Sequence, residues 1–287
     1  MTFCPCNQFT ETTSGGISAG GSAVLSVEQL SGGCSLGGSA TVWVIPDAYD
    51  GLTLVLPLDE HSTGEIDEFR DRTRNNLHAV GGSGDARYLT MLDDGVFCLS
   101  SQYFEGRDFI NVSRDNITGE FSVSMWIKRA DNKFGEKVFF SRGVQSAGHD
   151  WNFTLGTSYI GELMARIKLV GDDGNVTHLA FSSEKLQVDR WHHVAATWRP
   201  SEALELYLDG TLSGSVETPE NAMVGFSSGN HSYLGRWNNG TGFVGNIQEV
   251  RLFPIGKNAD YFAAEKANFC SANFVLESEV IDEAVFE

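Results

Sequence analysis

Two adjacent histidines, His192 and His193, have side chains that could serve catalysis or metal binding. They lie in the short run WHHVAATW at residues 191–198, which reads as a β-strand. Successive side chains of a strand point to opposite faces, so the two imidazoles do not converge on one ligand. We therefore predict that both histidines are structural.

Two other chemical signatures are absent from the sequence. It contains no HExxH zinc motif, and its glycine-rich segment lacks the lysine and the preceding strand of a phosphate-binding loop. These absences disfavour a zinc peptidase and a nucleotide-binding enzyme.

The five cysteines, an odd number, cannot all pair within one chain. Cys4, Cys6 and Cys34 lie close to the N-terminus, whereas Cys98 and Cys270 are isolated. The first three are candidates for disulfides between chains, and unpaired thiols in a reducing compartment are the alternative. Cys4 and Cys6 have the wrong spacing for a zinc knuckle, so structural zinc is not expected.

The region around residues 191–214 predicts a β-hairpin. Leu204, Leu206 and Leu208 alternate with Glu205 and Tyr207, as in a strand with one face in the core. Asp209-Gly210 follows directly and suits a type I′ turn, since both central residues of that turn need a positive φ.

The same residues carry a family resemblance, because four segments follow one family pattern in order. They resemble the LamG-like, concanavalin A-like jelly-roll domains and together cover about residues 50–256. The segments are LVLPLDE (54–60), FSVSMWIK (121–128), WHHVAATW…LELYLDG (191–210) and YLGR…FVGNIQEVRLF (233–253). The resemblance implies an all-β, two-sheet antiparallel jelly-roll sandwich, and it says little about function.

Composition and periodicity divide the chain into three predicted parts. Residues 1–49 form a Gly/Ser-rich arm, which orders poorly alone because glycine loses much backbone entropy on folding. Residues 50–256 form the sandwich, with Val123 and Met125 among its core residues. Residues 257–287 contain a helix at 259–267 and an acidic extension.

One segment resembles the catalytic strand of laminarinase-like relatives, which carries carboxylates as E-x-D-x-x-E or E-x-D-x-E. Glu65 and Asp67 match the start of that pattern, but Phe69 and Arg70 stand where the second acid is required. Glu68 faces the opposite way on a strand. A glycosidase needs two paired carboxylates, so a glycoside hydrolase is a remote alternative and we expect no enzyme activity.

The family resemblance also implies a calcium site at a rim of the sandwich. The acidic positions that match family motifs are Asp59, Asp71 and Glu249. Ca²⁺ takes six to eight oxygen ligands, so carbonyls and waters would complete the shell. Gln248 replaces a common aspartate of the family, and solvated surface acids are the alternative interpretation.

The segment Trp237-Asn238-Asn239 is the candidate carbohydrate site. A sugar site needs an exposed aromatic ring for stacking and a few fixed polar groups beside it. The alternative is a tryptophan in the core or at its rim.

The charge of the chain excludes two classes of partner. The formal net charge is −18 over 287 residues, and no cluster of Lys and Arg stands out. Nucleic acids and anionic membrane surfaces both bind through concentrated positive charge, so neither is expected. No apolar run reaches the length that a membrane span requires.

The N-terminus shows neither the positive segment nor the apolar run of a secretory signal. An extracellular-type sandwich without such a signal is what a bacteriophage virion protein would have. We therefore predict a non-catalytic subunit of the virion surface, made in the host cytoplasm. It would decorate a capsid or tail, bind capsid or tail proteins through its arm, and form homo-oligomers. The alternative is an extracellular or cell-surface adhesin that binds glycans.

Overall fold

Alternating apolar residues form strands throughout the described chain, and one helix follows them. The computed structural model describes residues 51–60, 69–81, 90–92, 100–112, 119–131, 135–144, 151–171, 174–220, 223–224, 230–236 and 242–268. The elements are β1 Leu54–Leu56, β2 Ala79–Gly81, β3 Thr90–Leu92, β4 Ser101–Glu105, β5 Ile110–Val112, β6 Phe121–Arg129, β7 Lys137–Val144, β8 Trp151–Thr157, β9 Glu162–Gly171, β10 Gly174–Lys185, β11 Trp191–Trp198, β12 Ala203–Leu208, β13 Thr211–Glu217, β14 Met223–Val224, β15 Asn230–Leu234, β16 Val244–Phe253 and α1 Ala259–Asn268.

The strands form two antiparallel sheets, which confirms the predicted jelly-roll sandwich. Sheet A has the order β13-β12-β11-β6-β16-β4-β3, with β1 also paired to β16. Sheet B has the order β10-β9-β8-β7-β15-β5-β2, with β14 also paired to β9. Strands adjacent in space are often distant in sequence, which is the pattern of a jelly roll rather than of a meander.

The predicted hairpin is β12 and β13, joined by Asp209 and Gly210. Their φ angles are 51° and 81°, so both central residues adopt the left-handed conformation that the turn requires. The register places Leu208 opposite Thr211, as a two-residue loop demands. The turn prediction is confirmed.

The core lies between the sheets and is built from the alternate residues of each strand. Val123, Met125 and Leu204 are fully buried, as predicted. The rings of Phe121 in sheet A and Phe153 in sheet B meet edge to face with their centroids 4.9 Å apart. Burying one such side chain contributes about 1.5–3 kcal/mol, so the sheet-to-sheet contact dominates the stability of the fold.

The helix α1 packs on the outer face of sheet A, which is the face turned away from the core. It begins after Asn258, whose Oδ1 accepts a hydrogen bond from Tyr261 N at 3.0 Å and caps the helix. Phe262 is fully buried, with its ring centroid 4.7 Å from that of Tyr207 in β12. The predicted helix is confirmed. In the described residues no helix is long and apolar enough to cross a membrane.

Several sequence predictions fall outside the described residues and stay predictions. They concern the N-terminal arm at 1–49 with Cys4, Cys6 and Cys34, the acidic segment with Glu65, Asp67 and Glu68, the sugar-site candidates Trp237, Asn238 and Asn239, and the acidic extension after residue 268.

Candidate functional site

The register of β5 and β15 creates an aromatic surface on the outer face of sheet B. Ile110 pairs with Leu234, and both are fully buried in the core. The alternate residues therefore point outward, and Asn111 lies opposite Tyr233 on that face. Phe109 precedes β5 and meets Tyr233 edge to face, with ring centroids 6.0 Å apart. Both rings are half-buried, so part of each faces solvent.

Gly235 turns the chain after β15 and places Arg236 over this surface. Gly235 has a φ of 84°, and a Cβ there would lie 2.3 Å from a ring carbon of Phe104. Only glycine fits that turn without moving the core. The guanidinium carbon of Arg236 then lies 3.7 Å from the ring centroid of Phe109. We call Phe109, Tyr233 and Arg236 the arginine–aromatic cluster.

Hydrogen bonds fix the position of Arg236 further. Its Nη1 donates to the carbonyl oxygen of Arg107 at 3.3 Å, and its own carbonyl accepts from Ser141 Oγ at 3.1 Å. Burial lowers the pKa of Arg236, and the nearby Tyr233 and Asp108 oppose that shift. The guanidinium stays charged at neutral pH, since arginine side chains are not deprotonated in proteins.

Small polar side chains continue the same face of sheet B beyond the cluster. Strand pairing aligns Tyr233 with Ser141, then with Thr154 and finally with Arg166. The Ser141 and Thr154 side chains are buried. Arg166 closes the row and forms an ion pair with Glu136 at 2.7 Å.

The arginine–aromatic cluster has the parts that a sugar site needs. Aromatic faces stack on the C–H face of a pyranose, and a fixed guanidinium donates hydrogen bonds in one plane. The arrangement therefore suits binding of a polar ring and contains no nucleophile–base pair.

The histidine His192 is structural, as predicted from its place in a strand. It lies on the core side of β11, where its Nε2 accepts from Gln187 N at 3.1 Å. Its Nδ1 is therefore the protonated nitrogen and donates to Asp209 Oδ2 at 2.9 Å. Burial alone would raise the pKa of Asp209, but the His192 contact and the amide of His193 hold it below its ordinary value.

The other histidine, His193, points the opposite way and lies under α1. Its Nε2 is 3.1 Å from Glu265 Oε2, and Glu265 Oε1 accepts from Arg251 at 3.0 Å and from Ser124 at 3.1 Å. Burial alone would raise the pKa of Glu265, but these partners outweigh it and lower the pKa. This buried network holds the helix on sheet A.

The calcium candidate Asp71 already has four protein hydrogen bonds. Its Oδ1 accepts from Val55 N at 2.9 Å and from Thr73 N at 3.0 Å. Its Oδ2 accepts from Thr73 Oγ1 at 2.7 Å and from Leu77 N at 2.8 Å. A carboxylate has about four lone-pair directions, so Asp71 fixes a loop against β1 in this arrangement.

The other two calcium candidates, Asp59 and Glu249, each lie beside an arginine. Asp59 is 3.5 Å from Arg72, and Glu249 is 3.3 Å from Arg251. Burial raises the pKa of Glu249, against the opposing charge of Arg251. Within the part of the chain that the structure describes, no group of three or more His, Cys, Asp or Glu residues is placed to hold a metal. Calcium binding stays a prediction from the family resemblance.

Sequence reasoning missed the arginine–aromatic cluster. Tyr233 and Arg236 lie in the segment YLGR that carries the family resemblance, but neither they nor Phe109 stood out as functional from the sequence. The signal that finds them is the register between β5 and β15, together with Gly235. The predicted sugar-site residue Trp237 follows Arg236 directly in sequence and lies outside the described residues.

Comparison with known families identifies the class of protein. Residues 104–260 match Laminin_G_3, the concanavalin A-like lectin/glucanases superfamily. The match covers more than half of the chain, so the chain belongs to this superfamily, as the sequence resemblance predicted. No curated protein sequence matched the chain.

Solved structures with the same fold include domains that bind sugars. Domain 4 of AbnA, an extracellular arabinanase from Geobacillus stearothermophilus, was solved with arabinotriose; it has a TM-score of 0.55 and 17% identity, over 74% of this chain and 96% of that one. The binding domain of paraclostridial mosquitocidal protein 1 has a TM-score of 0.56 and 15% identity. The botulinum neurotoxin serotype D ligand-binding domain, in complex with N-acetylneuraminic acid, has a TM-score of 0.54 and 17% identity.

The similarities to the toxin domains cover only part of those domains. The two toxin matches each cover 76% of this chain, which spans about half of the toxin domains, 52% and 51% respectively. Sequence identities of 15–17% show a shared fold and do not by themselves show a shared function.

Proposed function

We propose that this chain is a non-catalytic carbohydrate-binding module whose glycan site is the outer face of sheet B. The observation that carries the proposal is the arginine–aromatic cluster, where Arg236 is stacked on Phe109 beside the half-buried ring of Tyr233. A lectin site combines such rings with a few fixed polar groups. Similar folds in complexes with arabinotriose and N-acetylneuraminic acid support the proposal as precedents.

A glycan array with the purified full-length chain tests the proposal. Tyr233→Leu keeps the apolar bulk of the side chain but removes its aromatic face and its hydroxyl. We expect the affinity for the strongest ligand to fall about tenfold, the equivalent of 1.4 kcal/mol. The measurement is the array signal over a range of protein concentrations, with melting curves to show that the variant is folded.

Tyr159→Leu is the matched control for this experiment. Tyr159 lies in the turn between β8 and β9 and is more exposed than Tyr233, with 66% of its surface accessible. A site defined by exposure alone would include Tyr159, whereas the proposed site does not. Equal losses in the two variants, or no glycan bound by the wild type, would count against the proposed site.

The virion role predicted from the sequence is the second proposal. In it, the sandwich is displayed on a capsid or tail, and residues 1–49 dock on neighbouring proteins. Deleting residues 1–40 should give a folded sandwich that no longer enters particles, because a Gly/Ser-rich arm gains order only by docking. The measurement is the amount of truncated protein in purified particles; full incorporation would refute arm docking.

A further inference from the structure

We infer that Arg236 makes this surface selective for glycans that carry a carboxylate, such as a sialic or uronic acid. The inference rests on the proposed function and names the class of ligand for the same site. It assigns Arg236 as the residue that determines specificity and requires no metal ion.

The first observation is that Arg236 lacks an acidic partner among the described residues. Three other arginines form close ion pairs, with carboxylate oxygens 2.7 Å from Arg166, 2.7 Å from Arg199 and 3.0 Å from Arg251. Arg236 donates only to a backbone carbonyl and makes no ion pair within the described chain. Within the described residues, the guanidinium is therefore bonded to a carbonyl and not to a carboxylate.

The charge of Asp108 acts on Arg236 and opposes the lowering of its pKa by burial. Asp108 is 3% exposed, and its Oδ2 accepts a hydrogen bond from Glu105 N. This bond holds Asp108 in the β4–β5 turn, and within the described residues no ion pair joins its carboxylate to the guanidinium.

The second observation is that the guanidinium is held in place before any ligand binds. The guanidinium carbon of Arg236 lies 3.7 Å from the ring centroid of Phe109, and Arg236 Nη1 is hydrogen-bonded to Arg107 O at 3.3 Å. A pre-organised side chain loses less entropy on binding than a free one. The planar fork of donors also matches the two oxygens of a carboxylate.

The negative net charge of the chain favours ligands with a single carboxylate over highly charged polyanions. Densely sulfated or phosphorylated polymers would be repelled by a net charge of −18, and their binding usually needs several unpaired cations. The second arginine on this face, Arg166, is already paired with Glu136. A ligand carboxylate in contact with Arg236 is closer to the guanidinium than the screening length, which is about 8 Å at physiological salt. The repulsion from more distant acidic residues is screened, so the contact with Arg236 outweighs it.

The test compares each acidic glycan with its neutral counterpart. The probes are sialylated oligosaccharides with their desialylated forms, and oligogalacturonates with their methyl esters. Titration calorimetry with the full-length chain should show about a tenfold preference for the acidic member of at least one pair. Raising the salt concentration should weaken only the acidic member.

Arg236→Gln should abolish this preference, because it should weaken binding of the acidic member about tenfold more than binding of the neutral member. Arg236→Lys should restore part of the preference, since it keeps the charge and loses the planar fork. Arg190→Gln is the matched control, because Arg190 is exposed and contacts only Gln187 among the described residues. Melting curves check the fold of each variant.

The outcomes separate this inference from the proposed function. Equal affinity of wild type for acidic and neutral forms overturns the inference alone, as does an equal loss of both in Arg236→Gln. Absence of binding to any glycan overturns the proposed function and the inference together.

Discussion

Gly245→Ala is expected to cost about 3 kcal/mol or more of folding stability, because strain and overpacking add at this position. Gly245 has a φ of 140°, which alanine rarely adopts. An added Cβ would lie 2.1 Å from Lys128 O and 2.8 Å from a ring atom of Phe243. Neither the backbone of a central strand nor a core ring can move aside easily. The measurement is the free energy of unfolding in urea, with a fall in melting temperature of roughly 10 °C.

The matched control is Gly119→Ala, immediately before β6. A Cβ at Gly119 would meet nothing within 4 Å, and its φ is not positive. We expect a change within about 0.5 kcal/mol. A Gly245→Ala variant as stable as this control would show that β16 does not follow the described path between β4 and β6.

Glu265→Ala is expected to cost about 3–5 kcal/mol, because it leaves a buried ion-pair network without its anion. The Glu265 side chain is 4% exposed, and His193 and Arg251 both contact it. Loss of the carboxylate also removes the contacts that hold α1 on sheet A. Urea unfolding gives the free energy, and hydrogen exchange at α1 amides shows whether the helix opens locally.

The pH dependence of Glu265→Ala provides a second readout. A carboxyl whose pKa is lowered by folding contributes stability above its unfolded pKa, near 4.5, and loses it as the pH falls through the folded value. The folding stability of the wild type should therefore fall in acid by the amount that the Glu265 carboxylate contributes. The variant lacks this carboxylate, so its stability should not show that part of the fall. Glu217→Ala, at an exposed position of β13, is the control and should change stability by less than about 0.5 kcal/mol. If Glu265→Ala changes the stability as little as Glu217→Ala does, the buried network does not stabilise the fold.

The same variant separates stability from function. Glu265 lies on the outer face of sheet A, whereas Arg236 and Tyr233 lie on sheet B. At a temperature where Glu265→Ala stays folded, its glycan affinity should equal that of the wild type.

The fold could be predicted from the sequence because its signals are local. The alternation of Leu204, Leu206 and Leu208 and the turn at Asp209-Gly210 need only neighbouring residues to be interpreted. The partners of the two histidines show where local signals end. Asp209 is 17 residues from His192 and belongs to the predicted hairpin, whereas Glu265 is 72 residues from His193 on a separate helix.

The candidate site could not be predicted for the same physical reason. Phe109 and Tyr233 meet only because β5 pairs with β15, and periodicity within one strand does not reveal which strand lies beside it. Asp71 shows the converse problem. It looks like a metal ligand in sequence, but four donors from its own chain surround it.

The proposed glycan site is tested most directly by chemical-shift mapping on the ¹⁵N-labelled full-length chain with the strongest glycan ligand. We expect the largest shifts at the amides of Phe109, Asn111 and Tyr233 and at the Arg236 side chain, because a ligand stacked on the arginine–aromatic cluster changes the ring currents there. Amides of α1 and of the β12–β13 hairpin should not move. Shifts confined to sheet A, or none at saturating glycan, would contradict the proposed site.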